Sequence, residues 1–191
     1  AARRTEGAYT AFLTFEDDAF ASITYSGYGH LDADEFTDWI AESGVRKDPA
    51  KYGGTRAALA NVSDELAFKN DTNFGGPRYV PPPAPKPDET RWHQHFGLLV
   101  ASCDRADLRP QPHGVLIYGD AEKRFEPLPP PRVHRAEVVD ELHAAVFESR
   151  APLHDGRWAM ATMEVCFAIL QSARERKEIP LHEQCGLPAG L

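Results

Sequence analysis

Residues 8–15 alternate, with Tyr9, Ala11, Leu13 and Phe15 on one face and Thr10 and Thr14 on the other. Residues 20–28 alternate again, setting Ala21, Ile23 and Tyr25 against Ser22, Thr24 and Ser26. A period of two is the mark of a strand, and Glu16-Asp17-Asp18 between the runs is turn chemistry. The pair predicts an antiparallel hairpin. Its small hydroxyl face is flat and weakly polar, suited to being covered by a partner subunit or a ligand.

At the other end of the chain the period changes to helical. Trp158, Ala161, Thr162, Val165, Ala168, Ile169 and Ser172 recur at helical spacing, and Met160, Met163, Cys166, Phe167 and Leu170 widen the stripe. Asp155 is a good N-cap, and Arg174, Arg176 and Lys177 suit the negative end of the helix dipole. Pro180 prevents continuation. A stripe this wide predicts a core helix lying in a groove, with cover on more than one side. Before it, residues 136–149 form an amphipathic helix through Val138, Val139, Leu142, Ala145 and Val146.

Between these ends the pattern predicts a short helix over 35–43, capped by Asp32 or Asp34, and a second over 55–70. Residues 71–89 turn to Gly75-Gly76-Pro77 and then a proline run, which reads as a stiff polyproline arm. Residues 94–103 read as a strand with Leu98, Leu99 and Val100 buried on both faces, and 104–114 as a long loop. Residues 115–118 and 123–126 form a second hairpin about Gly119-Asp120. Strands, small helices, strands and then two long helices predict an α+β fold. Its sheet is open and antiparallel-rich or mixed, with helices packed on one face.

Composition changes the picture mainly by exclusion. At 191 residues one domain is expected, and it would bury about 70% of its unfolded surface. A net charge of −8 argues against nucleic acid or anionic membrane as partners. No apolar run approaches the roughly 20 residues of a membrane span. Cys103, Cys166 and Cys185 have no CxxC spacing, and the odd count points to a reducing cytoplasm. No GxGxxG or Walker loop is present, and the abrupt start before a strand reads as that of a severed piece.

Two constellations carry candidate chemistry. Tyr25, Tyr28 and His30, with Asp32 and Asp34 nearby, stand at a strand end, where clefts form. They are the candidate substrate-lining residues. His30 is a candidate proton donor, or with the two aspartates a metal ligand. His93 and His95 alternate onto one face, the minimum for a two-histidine metal corner, with Glu89, His113 and Cys103 as the available third ligands. The sign-alternating run Asp104-Arg105-Ala106-Asp107-Leu108-Arg109 predicts ion pairs within or between subunits.

Four stretches together resemble one family: EGAYTAFLTF with FASITYSGY, SCDRADLRP, VLIYGD, and HDGRWAMATMEVCFAILQSARERKEIPL. They look like the C-terminal domain of Gfo/Idh/MocA-type oxidoreductases, closest to the branch with 4,5-dihydroxyphthalate and phthalate dihydrodiol dehydrogenases. The resemblance implies a dihydrodipicolinate-reductase-like C-terminal domain whose sheet serves substrate and subunit contacts. It also implies an N-terminal Rossmann domain, binding NAD or NADP, that this chain lacks. The family's Glu-Lys-Pro and Asp-x-x-x-His motifs are absent here. On this reading no catalytic, cofactor-binding or metal-binding residue can be assigned to this chain, and alone it is expected to be inactive. Three functions follow. The first is the substrate-side and oligomerisation domain of a dehydrogenase of a cyclic diol or aromatic-acid dihydrodiol. The others are a stand-alone binding module and a small metal-dependent enzyme using His93 and His95.

Overall fold

The computed structural model describes residues 7–81 and 89–186. The α+β class read from sequence is what it has: two antiparallel sheets and, among the described residues, four α-helices. Contacts gather into two units. One joins the described residues up to Gly29 to those from Ala136 onward, and the other is His30–Arg135.

The first unit opens on the predicted hairpin, β1 (Ala8–Thr14) and β2 (Phe20–Ser26), paired from Ala8 opposite Ser26 to Thr14 opposite Phe20. The turn is closed by Phe15 N–H on the Ala19 carbonyl at 2.9 Å, with Asp18 left-handed at φ 62° and Asp17 Oδ1 accepting from Ala19 N. Asp tolerates that conformation because its short side chain bonds locally. The two helices also form as predicted. Call them, in chain order, α3 (Ala136–Phe147) and α4 (Gly156–Glu175). Asp155 Oδ1 caps α4 by accepting from the N–H groups of Arg157 and Trp158 at 2.9 and 3.0 Å. Arg176 turns left-handed (φ 54°) to end it. Glu141 on α3 accepts from His154 N and stands 2.8 Å from its Nδ1, tying the lead-in of α4 to α3.

The expectation that α4 lies deep in a groove is corrected. Only Ala161 and Ala168 of α4 are buried, while Trp158, Met160, Met163 and Phe167 are exposed. Among the described residues, the buried apolar ones of the unit are all alanines: Ala11, Ala136, Ala144, Ala161 and Ala168. A hairpin and one companion helix cannot cover a stripe that wide, and exposed apolar surface of this kind marks an interaction face.

Past α4 the chain turns back along it. The Glu164 carboxylate accepts from His182 N at 2.6 Å, Glu183 N at 2.9 Å and the Gln184 side-chain amide at 2.8 Å. A groove of about 400 Å³ runs between α4 and this return segment, lined by Met160, Met163, Phe167 and Leu181. The His182 N–H bond, followed by those of Gln184 and Glu183, holds the Glu164 carboxyl below its ordinary range. A depressed carboxyl stabilises fully above the unfolded glutamate range, and that contribution is lost as pH falls through the lower, folded value. The amide resonances of His182 and Glu183 should therefore move to random-coil positions on acidification, and Glu164→Gln should weaken the fastening already at neutral pH. Unchanged shifts in both experiments would contradict the clasp.

In the second unit α1 (Gly54–Leu59) and α2 (Glu65–Thr72) replace the single helix expected over 55–70. The break arises because Asp64 caps a new helix by accepting from Ala67 N at 3.0 Å. The helix expected over 35–43 is also corrected. A 3-10 turn, Ala33–Thr37, capped by Asp32 as predicted, stops because Asp38 and Trp39 are left-handed at φ 55° and 59°. Thr37 Oγ1 braces the reversal, 3.1 and 3.0 Å from the carbonyls of Asp34 and Ile40. Ile40 is 1% exposed.

The sheet of this unit is a meander, β3 (Ala101–Cys103), β4 (Ala106–Gln111), β5 (Gly114–Gly119) and β6 (Lys123–Pro127). The loop expected over 104–114 is thus mostly β4, with Asp104-Arg105 and Pro112-His113 as turns. Pro110 is tolerated because β3 pairs β4 only as far as Leu108, leaving no ladder partner there for a missing N–H. Conversely Leu98, Leu99 and Val100, expected to be a buried strand, are exposed and precede β3. Of the proline arm expected over 71–89, residues 71–72 end α2 and residues 82–88 lie outside the described residues. Among the described residues no helix is long and apolar enough to cross a membrane.

Candidate functional site

The hairpin register sorts its side chains into two faces. Tyr9, Ala11 and Leu13 share one face with Tyr25, Ile23 and Ala21. Tyr25 stacks on Tyr9 at 5.7 Å between ring centroids, 30° between planes. The other face carries the predicted hydroxyls, with Thr10 and Thr24 Oγ1 atoms 3.3 Å apart. It also carries a stacked aromatic pair that sequence reading passed over: Phe12 and Phe20, 5.4 Å apart and 64% and 68% exposed. The signal was there, since Phe12 and Phe20 sit in phase with Thr10 and Ser22.

Tyr28 lies just past β2, where Gly27 N–H bonds the Gly7 carbonyl at 2.7 Å. Its ring lies directly on Gly7, where a Cβ would stand 2.3 Å from the phenol oxygen. His30 opens the second unit, and its carbonyl accepts from the Tyr52 hydroxyl at 2.6 Å. Tyr25 and Tyr28 therefore belong to the first unit and His30 to the second. Asp32 and Asp34 are not poised for a metal with His30. Both carboxylates hold the Lys47 ammonium, the second at 3.3 Å. That bond holds the Asp32 carboxyl low and the Lys47 ammonium high, each the other's main cause.

The two-histidine corner does not form. His93 Nε2 stands 2.9 Å from the Pro129 carbonyl and His95 Nε2 2.7 Å from that of Ile40, because residues 92–95 run as irregular backbone rather than a strand. Among the described residues no three His, Cys, Asp or Glu side chains gather as a metal site. His113 instead packs between Trp92 and Phe125, at 5.8 and 5.1 Å between ring centroids, with Nε2 3.7 Å from Asp38. The run 104–109 supplies no ion pair among the described residues. Its Arg109 instead donates to the Phe36 carbonyl. Lys123, opposite Tyr118 in the ladder, places Nζ 4.8 Å from the centre of that ring. These cations hold the Tyr118 phenol below its ordinary range, Arg109 foremost.

A nicotinamide dinucleotide does not fit the residues described. Such a site needs a strand turning through glycines into a helix of a parallel βαβ unit. Here every strand pairing is antiparallel, and neither β1 nor any strand of the meander leads into such a turn.

Comparison with known proteins places this geometry. The chain is 38% identical over 177 residues, 91% of its length, to the 1-carboxy-3-chloro-3,4-dihydroxycyclohexa-1,5-diene dehydrogenase of Comamonas testosteroni. It also matches the crystal structure of a provisionally assigned dehydrogenase from Bordetella bronchiseptica RB50, with TM-score 0.72 and 39% identity over 91% of this chain. In each case it spans 44% of the relative's length. No family model matches. Both relatives are dehydrogenases by name, one of them of a cyclic dihydrodiol, as the resemblance read from the four sequence stretches implies.

Proposed function

We propose that this chain is the substrate-side and oligomerisation domain of an NAD(P)-dependent dehydrogenase acting on a carboxylated cyclic dihydrodiol. The observation that carries the reading is the 38% identity to a dehydrogenase named for such a substrate, over a stretch that makes up 44% of that relative. The dinucleotide and the groups that move hydride and proton belong to residues outside these 191, so this chain's part is to bind and orient. Tyr25 and Tyr28 offer aromatic faces and phenol hydroxyls to a hydroxylated ring. The Phe12–Phe20 face of the hairpin is the seam between copies. Three free, exposed cysteines suit a reducing cytoplasm as the compartment.

The test is kinetic, in the longer polypeptide. Tyr25→Ala and Tyr28→Ala should each raise KM roughly tenfold, about 1.4 kcal/mol, with kcat nearly kept, as expected for lost uniform binding. Wild-type KM and kcat in both variants would remove the two residues from the site.

A further inference from the structure

We infer that the face of the four-stranded sheet carrying Arg109, Tyr118 and Lys123 is a binding site for an aryl carboxylate. The inference goes beyond the dehydrogenase reading and is testable on this chain alone.

The ladder sets the geometry. Asp107, Tyr118 and Lys123 stand in one cross-strand row, and Arg109, Leu116 and Phe125 in the row two residues away on the same face. Directly opposed residues in a ladder point to the same side of the sheet, and alternate residues along a strand do too. This face therefore has a polar end and an apolar end. At the polar end the Lys123 ammonium stands 4.8 Å from the centre of the Tyr118 ring, and the Arg109 guanidinium is carried on the same face one row along. Two cations so placed repel each other, and the negative charge facing them from the sheet is Asp107 alone, with no ion pair to either among the described residues. An arriving carboxylate relieves that repulsion and accepts N–H and O–H donors at once. The Phe36 carbonyl holds Arg109 in place, so the guanidinium is ordered before any ligand arrives.

At the apolar end Leu116 and Phe125 lie one row along, where the ring of an aromatic acid would rest. Phe125 is backed by the His113 ring and still 39% exposed. The net charge of −8 repels anions in general, so binding there would be due to the local donors rather than to long-range attraction. The planar fork of arginine with an adjacent ring surface selects a flat carboxylate over a tetrahedral anion.

The experiment titrates benzoate into the 191-residue chain, followed by heteronuclear NMR and by phenolate absorbance, with methyl benzoate and sulfate as parallel probes. Benzoate should shift the amides of Arg109, Tyr118 and Lys123 and raise the pH at which Tyr118 ionises, because the new negative charge opposes the phenolate. Subtracting Tyr118→Phe from wild type isolates that titration among the six tyrosines. Lys123→Gln and Tyr118→Phe, both at exposed positions, should each weaken binding roughly tenfold, or about 1.4 kcal/mol. Phe125→Ala should weaken benzoate and leave acetate unchanged. Methyl benzoate or sulfate binding as tightly as benzoate would overturn the inference, as would undiminished benzoate affinity in Lys123→Gln.

Discussion

Gly44→Val should unfold the second unit, whereas Gly53→Ala should only weaken it. Both glycines have φ of +77°, so both variants bear left-handed strain, about 1–3 kcal/mol. The difference is what a Cβ meets. At Gly53 nothing stands within 4 Å, while at Gly44 the Trp92 carbonyl oxygen would be 2.1 Å away. The Gly44 carbonyl also accepts Trp92 N–H at 2.8 Å, and Gly44 N–H closes the turn onto Ala41 at 2.8 Å. Valine must push that backbone apart, dislodging Trp92 from His113 and the bridge between Ile40 and Arg46. Urea unfolding followed by tryptophan fluorescence should show Gly53→Ala down by about 1 kcal/mol and Gly44→Val with little or no folded baseline. Equal losses in the two variants would mean that the Gly44–Trp92 contact is not the constraint.

Phe12→Glu combined with Phe20→Glu should convert an associating chain into a monomer. In a two-fold seam each substitution appears twice, so four carboxylates would be brought together where two aromatic pairs had met. Both positions are exposed in the single chain, so its own fold should survive, which circular dichroism checks. Static light scattering should show the dissociation constant rising at least a hundredfold, about 2.7 kcal/mol. A wild-type chain that stays monomeric at high concentration, or a variant that associates undiminished, would exclude this face as the seam.

What could be read directly was what is decided locally. The β1–β2 hairpin, α3 and the Asp155 cap of α4 depend on alternation, helical period and one side chain's reach, all visible in a short window. The β4 strand was hidden because Pro110 and Pro112 look like loop punctuation, and only the early end of β3 makes Pro110 harmless. Residues 98–100 misled in the opposite sense, since an apolar run predicts burial but cannot say whether a partner strand exists. The Asp38-Trp39 reversal was illegible because nothing in Phe-Thr-Asp-Trp-Ile demands left-handed backbone. It is held by Thr37 Oγ1 within the turn and by Arg46 donating to the Asp38 carbonyl at 2.9 Å.

The candidate sites divide along the same line. Tyr25 and Tyr28 were singled out because they sit at a strand end, and the structure gives each a defined packing partner, Tyr9 and Gly7. The histidine corner failed because it needed residues 92–95 to be a strand. Arg109, Tyr118 and Lys123 were passed over because only the ladder register puts them on one face. Tyr118 and Lys123 face each other across a hairpin whose turn is Asp120–Glu122, one residue later than Gly119-Asp120 implied.

The central claim, that this chain is the substrate half of a dehydrogenase, is tested most directly by a single assay. NAD(P)H formation would be followed with a carboxylated cyclic dihydrodiol, comparing the longer polypeptide with the 191-residue chain at equal concentration. The account predicts steady turnover by the former and none by the latter. Turnover by the 191 residues alone, or a longer polypeptide that leaves every such dihydrodiol unoxidised, would contradict it.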